Sequence, residues 1–422
     1  MTAVTRSPFR LALVGLLALL LVPSVLAGAS QDAVVAWIKQ TAHPLDTCEP
    51  SEDLHDLGFL EDLVGGAHIV ALGEATHGTS EFFKVKHRIT RYLATHMGST
   101  VFAIEAGMPE ARQLNSYVLT GQGDPRTLLD GLSFWPWETQ EVLDMIHWMR
   151  AFNSSGAGRI QFAGFDMTKP DLAAAIARHA LADVDPAGAD SLDACLKQLR
   201  ASMSTRSLAS VPVAATERLL KRIEGERVAL ARATTPASAD WAIQNMRIVG
   251  QFAQWASANA GAEVRDSCMA VNVDWILDHE KPGTRIVVCA HNVHVNRTEG
   301  RMGSYLAQRH GPDMVVLGFA TYDGQYNVEH GADGPTPQDL ETPSGEALEA
   351  KCHATGLTRF VFDLRGAPAD SSAKRYFAAP KLMRSTGILP KQEQFSTADV
   401  ARDFDAIVFI GHTSPSEILR LR

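Results

Sequence analysis

A short apolar run, Ile69-Val70-Ala71-Leu72, ends in Gly73 and is followed by Glu74 and, three residues later, His77. Gly78, Thr79 and Ser80 then lead into a long helical pattern. A strand, a tight turn and a helix start in that order constrain this part of the chain to a βα unit. In an open α/β sheet, ligands bind at the carboxyl ends of the strands. Glu74 and His77 fall at such an end. An imidazole titrates near neutrality, so it can take or give a proton at working pH. The competing reading is a buried histidine satisfied by its neighbouring carboxylate, and the rest of the chain has to weigh between the two.

The same grammar recurs. Thr100–Ile104 runs into Glu105-Ala106-Gly107, and Pro109 opens the next helix. Ile160–Ala163 runs into Gly164-Phe165-Asp166, and Arg285–Ala290 into His291-Asn292-Val293-His294. Further strands are expected at Met314–Phe319, Phe360–Leu364 and Ala406–Ile410. The expected fold class is therefore α/β, a mainly parallel sheet flanked by helices. Between about Pro170 and His279 no strand pattern stands out, and Ala-rich, charged segments at helical spacing dominate. We read residues 170–279 as a helical insertion acting as a lid over the carboxyl rim, and 30–169 with 280–422 as the α/β core. After Ser80, which suits a helix cap, the apolar stripe Phe82, Phe83, Val85, Ile89, Tyr92 and Leu93 leaves Lys86 and His87 on the helix flanks. The Gly-, Pro- and Asp-rich stretch from Tyr322 to Pro343 suggests a long rim loop.

Composition narrows the function. A net charge of −9 over 422 residues gives no electrostatic footprint for nucleic acid. Arg6 and Arg10 precede the apolar run Leu11–Val22, and small residues follow through Ala29. Residues 1–29 thus read as a signal peptide cut after Ala27 or Ala29, which implies a periplasmic or secreted protein with no stable membrane insertion after cleavage. The five cysteines, Cys48, Cys195, Cys268, Cys289 and Cys352, are an odd set that leaves at least one thiol free and the pairing open.

In a parallel sheet, Glu74, His77, Glu105, Asp166, His291 and His294 would share one rim. Converging charge is costly unless it is paired or used, which favours a functional site. Asp166 also suits a helix cap, and His294 suits a buttress for His291. Two chemistries fit. In one, a carboxylate orients an imidazole that deprotonates water. In the other, the histidines and carboxylates hold zinc or manganese. No His-Glu-x-x-His motif, Gly-x-Ser-x-Gly elbow or Gly-rich phosphate loop is present.

The blocks Gly73–Phe82 and Phe102–Ala106, then Trp135-Pro136-Trp137, Trp148–Asn153 and Gly164-Phe165-Asp166, strongly resemble the erythromycin esterase family. So do Arg265–Asn272, Ala290–His294 and Met302–Leu306, in the same order. The chain departs from the family pattern at Cys268 and His412. The resemblance implies an α/β core under a helical lid and hydrolysis of a macrolide lactone without a nucleophilic serine or a required metal. By match, His77 would be the general base, Glu74 its neighbour, and Glu105 the group that positions the water or the imidazole. His291 and His294 would bind or polarise the ester, and Arg265 would hold Asp266 or the developing oxyanion.

The expected protein is therefore an exported carboxylic ester hydrolase that opens a macrolactone or related ester without a metal or other cofactor. A metal-dependent hydrolase on the same residues, or a non-catalytic periplasmic small-molecule-binding protein, are the alternatives. The expected catalytic residues are His77, Glu74, Glu105, His291 and Arg265. The expected substrate contacts are His294, Asp166, Trp135, Trp137 and Asn292. Large apolar ligands need broad apolar walls, so the segment Phe134–Trp137 and the helical insertion are expected to set substrate choice. The partner is a small-molecule ester, and no nucleic acid is expected.

Overall fold

A computed structural model describes residues 33–207, 211–257, 261–331, 334–391 and 393–419. The expected signal peptide lies outside these residues. Strands β1 (His43–Pro44), β2 (Ile69–Leu72), β3 (Ser99–Gly107), β4 (Gln161–Asp166), β5 (Arg285–Cys289), β6 (Met314–Glu329), β7 (Pro335–Asp339), β8 (Arg359–Asp363), β9 (Lys381–Arg384), β10 (Phe395–Ala398) and β11 (Ala406–Thr413) are joined mainly by helices. The large sheet runs in the order β1-β8-β11-β6-β2-β5-β3-β4, with β7 paired to β6. From β11 to β4 every neighbour is parallel. β8 runs antiparallel to β11, and β1 antiparallel to β8. This is the expected mainly parallel α/β sheet with helices on its faces.

The apolar strands are buried on both faces, as central parallel strands must be. Ile69, Ala71, Val101, Ala103, Ile286 and Val288 point into one core. Val70, Leu72, Phe102, Ile104, Val287 and Cys289 point into the other. The helix Ser80–His96 packs Phe82, Ile89 and Leu93 into the second core. After β5 the chain turns the opposite way, and Val295, Met302 and Leu306 enter the first. β2 and β5 are neighbours, so their carboxyl ends open a crevice where the connections diverge.

Two close approaches fix that rim. A Cβ on Gly73 would stand 2.0 Å from Asn292 Oδ1, and one on Gly78 would stand 2.4 Å from the Asn327 carbonyl. Glycine is the side chain that fits both places. Between β4 and β5 lie the helices Asp171–Val184, Pro186–Ser204, Val213–Gly225, Arg227–Ala233, Pro236–Ala256 and Ala262–Asp278. Asn272 ties this region to the sheet: its Nδ2 donates to the Phe165 carbonyl at 2.9 Å, while Gln244 and Gln251 donate to its Oδ1 at 2.9 and 3.0 Å.

Three local expectations are corrected. The segment 322–343 is not a long loop, because β6 continues to Glu329 and forms a hairpin with β7. Tyr326 and Val328 alternate inward and bury with Leu340, which overrides the turn-rich composition. Ser80 does not cap its helix: Thr79 occupies the cap position, and Ser80 Oγ donates to Glu141 at 2.5 Å. Lys86 and His87 do not lie on solvated flanks, since both are buried.

Candidate active site

The turn after β2 carries Glu74 and His77 into the crevice. Glu74 is fully buried, and its Oε1 accepts from His77 Nδ1 at 2.6 Å. Its other oxygen accepts from the ammonium of Lys86, which is buried as well. Burial alone would raise the carboxyl pKa, but the charge of Lys86 and the hydrogen bond from His77 outweigh it and hold Glu74 below the ordinary range. An ionised Glu74 fixes the tautomer of His77 with its proton on Nδ1, so Nε2 is left as a lone-pair acceptor. His77 is 6% exposed, and that remaining surface lines the cleft.

β3 delivers Glu105 beside it. Glu105 Oε1 accepts from Arg265 Nη2 at 2.7 Å, and Oε2 accepts from the backbone N–H of His291 at 3.2 Å. Burial opposes ionisation, but the charges of His294 and Arg265 hold this carboxyl well below the usual carboxylate range. Arg265, from the helix Ala262–Asp278, also donates to Asp166 Oδ2 at 2.7 Å. Those two carboxylates raise its pKa against the desolvation that would lower it, so it stays a cation. Asp266 is not its partner; it accepts instead from His294 Nδ1 at 2.6 Å. His294 Nε2 lies 3.2 Å from Arg265 Nη1 and 3.4 Å from Glu105 Oε1. Burial pushes the His294 pKa down, and Glu105 and Asp266 more than reverse it.

The cleft has a volume of about 340 Å³. His77, Glu105, Asp166, Arg265 and His294 line it together. Phe134, Leu132, Trp255 and Ile388 form its apolar walls, with Trp255 contributed by the inserted helices. Asp166 is not a helix cap, since the next helix begins at Asp171 after Pro170 and Asp166 bonds Arg265 instead. No serine or cysteine stands among the described residues that line the cleft. Among the described residues, no group of three His, Cys, Asp or Glu side chains is placed to hold a metal ion.

Four expected site residues are not among the described residues that line the cleft. His291 is buried, 5.0 Å from His77 ring to ring, but both its nitrogens are committed. Its Nδ1 accepts from Val293 N–H at 3.1 Å, and its Nε2–H faces the Thr386 and Ala75 carbonyls at 2.9 and 3.3 Å. Burial and the nearby His77 push its pKa down to about 3, so it is neutral and pins the His77 turn rather than reaching the cleft. Asn292 faces β6, donating to the Phe319 carbonyl at 2.7 Å. Trp137 is 2% exposed and donates from Nε1 to the Glu105 carbonyl at 3.0 Å, so it supports the site from behind. Trp135 does not line the cleft either. Phe134 does, with its ring 6.1 Å from His77 and edge-on to it.

Lys86 was the main residue missed. Its signal was its position: it stands three residues after Phe83 and three before Ile89, inside the buried stripe rather than beside it. Lys169 was missed too. Its Nζ donates to the Leu132 carbonyl at 2.7 Å and to that of Ser133. Ser133 has φ of 48°, a left-handed conformation that a non-glycine residue rarely adopts. Lys169 thus holds in place the strained turn that presents Phe134 to His77.

The erythromycin esterase family model matches residues 94–413. The chain is similar to "Erythromycin esterase type II" of Escherichia coli, 24% identical, with 91% of this chain and 98% of that protein covered. Its fold is similar to a crystal structure of a Bacillus cereus protein, with a TM-score of 0.82 at 26% identity, covering 92% of this chain and 99% of that one. It also matches the fold of a mutant of the erythromycin esterase EreC in its open conformation, with a TM-score of 0.70 at 20% identity, covering 87% and 96% of the two chains.

Proposed function

Because the chain belongs to the erythromycin esterase family, a family of hydrolases, we propose that it hydrolyses a carboxylic ester, a macrolactone or a related ring ester, by water that His77 activates directly. The observation that carries this reading is the arrangement of His77, oriented at Nδ1 by an ionised Glu74 and open at Nε2 to a cleft whose described lining residues include no serine or cysteine. Nε2 takes a proton from a water as that oxygen attacks the ester carbonyl. The carbonyl π electrons move to oxygen, beside the cations Arg265 and His294. Collapse then breaks the bond to the alkoxy oxygen, which recovers the proton from His77. Glu105, held ionised, accepts a hydrogen bond from the attacking water and fixes its direction.

The metal-free form of this reading is supported by the commitment of both His291 nitrogens and of His294 Nδ1 to protein partners. A water-activating metal needs about three protein ligands at fixed geometry. Apolar walls from Phe134, Leu132, Trp255 and Ile388 suit a bulky apolar alcohol portion. The reading includes export, with the first 29 residues removed as a signal peptide. The test is mass spectrometry of a panel of macrolides and simpler lactones after incubation with the enzyme. Addition of one water to a panel member, lost in His77→Ala, is expected; no turnover of any ester would overturn the proposal.

A further inference from the structure

A second groove, of about 480 Å³, runs along β4 at the end of the sheet and, among the described residues, shares no lining residue with the cleft. One wall is the helix Met108–Thr120. The other is the start of the helix Pro236–Ala256 and the end of Ala262–Asp278. Four flat groups follow one another across it. The Arg112 guanidinium lies 4.3 Å from the Trp241 ring centre. Trp241 and Trp275 are 5.8 Å apart at 49°, and Trp275 stacks on His279 at 3.9 Å and 21°. Both tryptophans are only half-buried, so their ring surface remains open to the groove.

The charges are lopsided. Arg112 and Arg159 are exposed and line the groove, and among the described residues neither is in an ion pair. Glu280 is occupied by Gln161, whose Nε2 donates to it at 2.6 Å. Asp240, 3.9 Å from His279, is held by Arg227 at 2.8 Å. The strand edge itself is partly closed, because Asn115 Oδ1 accepts from the Phe162 N–H at 2.9 Å. An added β-strand would need that amide. The occupant is therefore a small molecule, and the volume is in the range of small-molecule sites.

We propose that this groove is a second ligand site, which takes a small aromatic anion: a planar ring packed against the groove-facing surface of Trp241 and Trp275, with a carboxylate or sulfonate held by Arg112 and Arg159. The tilted indoles supply aromatic contact, and the guanidinium groups, which have no carboxylate partner among the described residues, supply planar, charge-assisted donors. The site is independent of ester hydrolysis and of the cleft. Equilibrium binding of 1-naphthoate to the full chain, followed by calorimetry, tests it. Saturable binding is expected, weakened about tenfold or more by Arg112→Gln and by Trp241→Leu, and likewise for the neutral probe 1-naphthylmethanol. His77→Ala should leave it within about twofold. Arg112 is exposed, so Arg112→Gln keeps the test free of folding defects. Absence of saturation up to about 10 mM probe, or affinity indifferent to Arg112→Gln, would overturn the site.

Discussion

Lys86 donates to the same buried carboxylate of Glu74 that orients His77. The ammonium makes a buried, ionised Glu74 tolerable, and the ionised carboxylate in turn sets the imidazole. Lys86→Met removes the compensating charge while keeping the apolar stem. Breaking a buried pair by deleting one partner costs about 3–5 kcal/mol, because the remaining charge is left unpaired. The variant should melt several degrees lower and lose about 10²-fold or more in turnover, as Glu74 takes up a proton and His77 loses its fixed tautomer. Wild-type turnover in Lys86→Met would break the proposed link.

Lys169 and Ser133 lead to a prediction about substrate binding. Without the Lys169 donors, the Ser133 turn relaxes and Phe134 leaves its place over His77. We expect Lys169→Met to raise KM about tenfold, equal to roughly 1.4 kcal/mol, with a smaller change in kcat. Ser133→Gly tolerates the same left-handed backbone and should keep KM near wild type. A loss in Lys169→Met confined to kcat would show that the turn serves chemistry rather than binding.

How much of this was legible before the structure varied with the kind of signal. Strand ends were readable because a two-face-buried parallel strand is a short apolar run, and the residues just after each such run fall on one rim. Glu74, His77, Glu105, Asp166 and His294 were found by that rule. His291 and Asn292 fell on the same rim, but position on a rim does not specify where a side chain points. His291 turned toward backbone carbonyls, and Asn292 toward β6. Lys86 was hidden because a charged side chain ordinarily signals exposure, whereas pairing with Glu74 permits burial. The β6 extension was hidden because Gly, Pro and Asp between Tyr322 and Pro343 outweighed a two-residue alternation visible only at Tyr326 and Val328.

The pH profile should fall on its alkaline side. On the alkaline side, His294 matters: its carboxylate neighbours raise its pKa above the ordinary histidine value despite burial. Its cation therefore persists above that value, and oxyanion stabilisation is lost as pH rises through the raised pKa. His294→Gln should lower kcat and remove the alkaline limb. An alkaline limb unchanged in His294→Gln would assign it to another group.

Glu349 gives a stability prediction away from the site. It is fully buried, accepts from the Arg384 N–H at 2.7 Å, and has an Oε2 without a partner among the described residues. Burial raises its pKa from 4.5 to about 7. The folded state thus binds a proton more tightly than the unfolded one, so stability falls as pH rises from about 4.5 to about 7. Glu349→Gln keeps the acceptor and removes the charge. It should be more stable than wild type at alkaline pH, by up to about 3 kcal/mol, and show no gain in acid. Denaturant unfolding across that range checks this, and an equal effect at both ends would contradict the assignment.

The central claim is that His77 is a free base acting on water without a metal. The most direct measurement is the ester-opening rate of wild type and His77→Ala on one confirmed substrate, after exhaustive treatment with EDTA or 1,10-phenanthroline. The predicted result is full wild-type activity after chelation, no gain on adding zinc or manganese, and a loss of about 10²-fold or more in a His77→Ala variant with an unchanged melting curve. Activity abolished by the chelator and restored by one added metal, or full activity in His77→Ala, would contradict it.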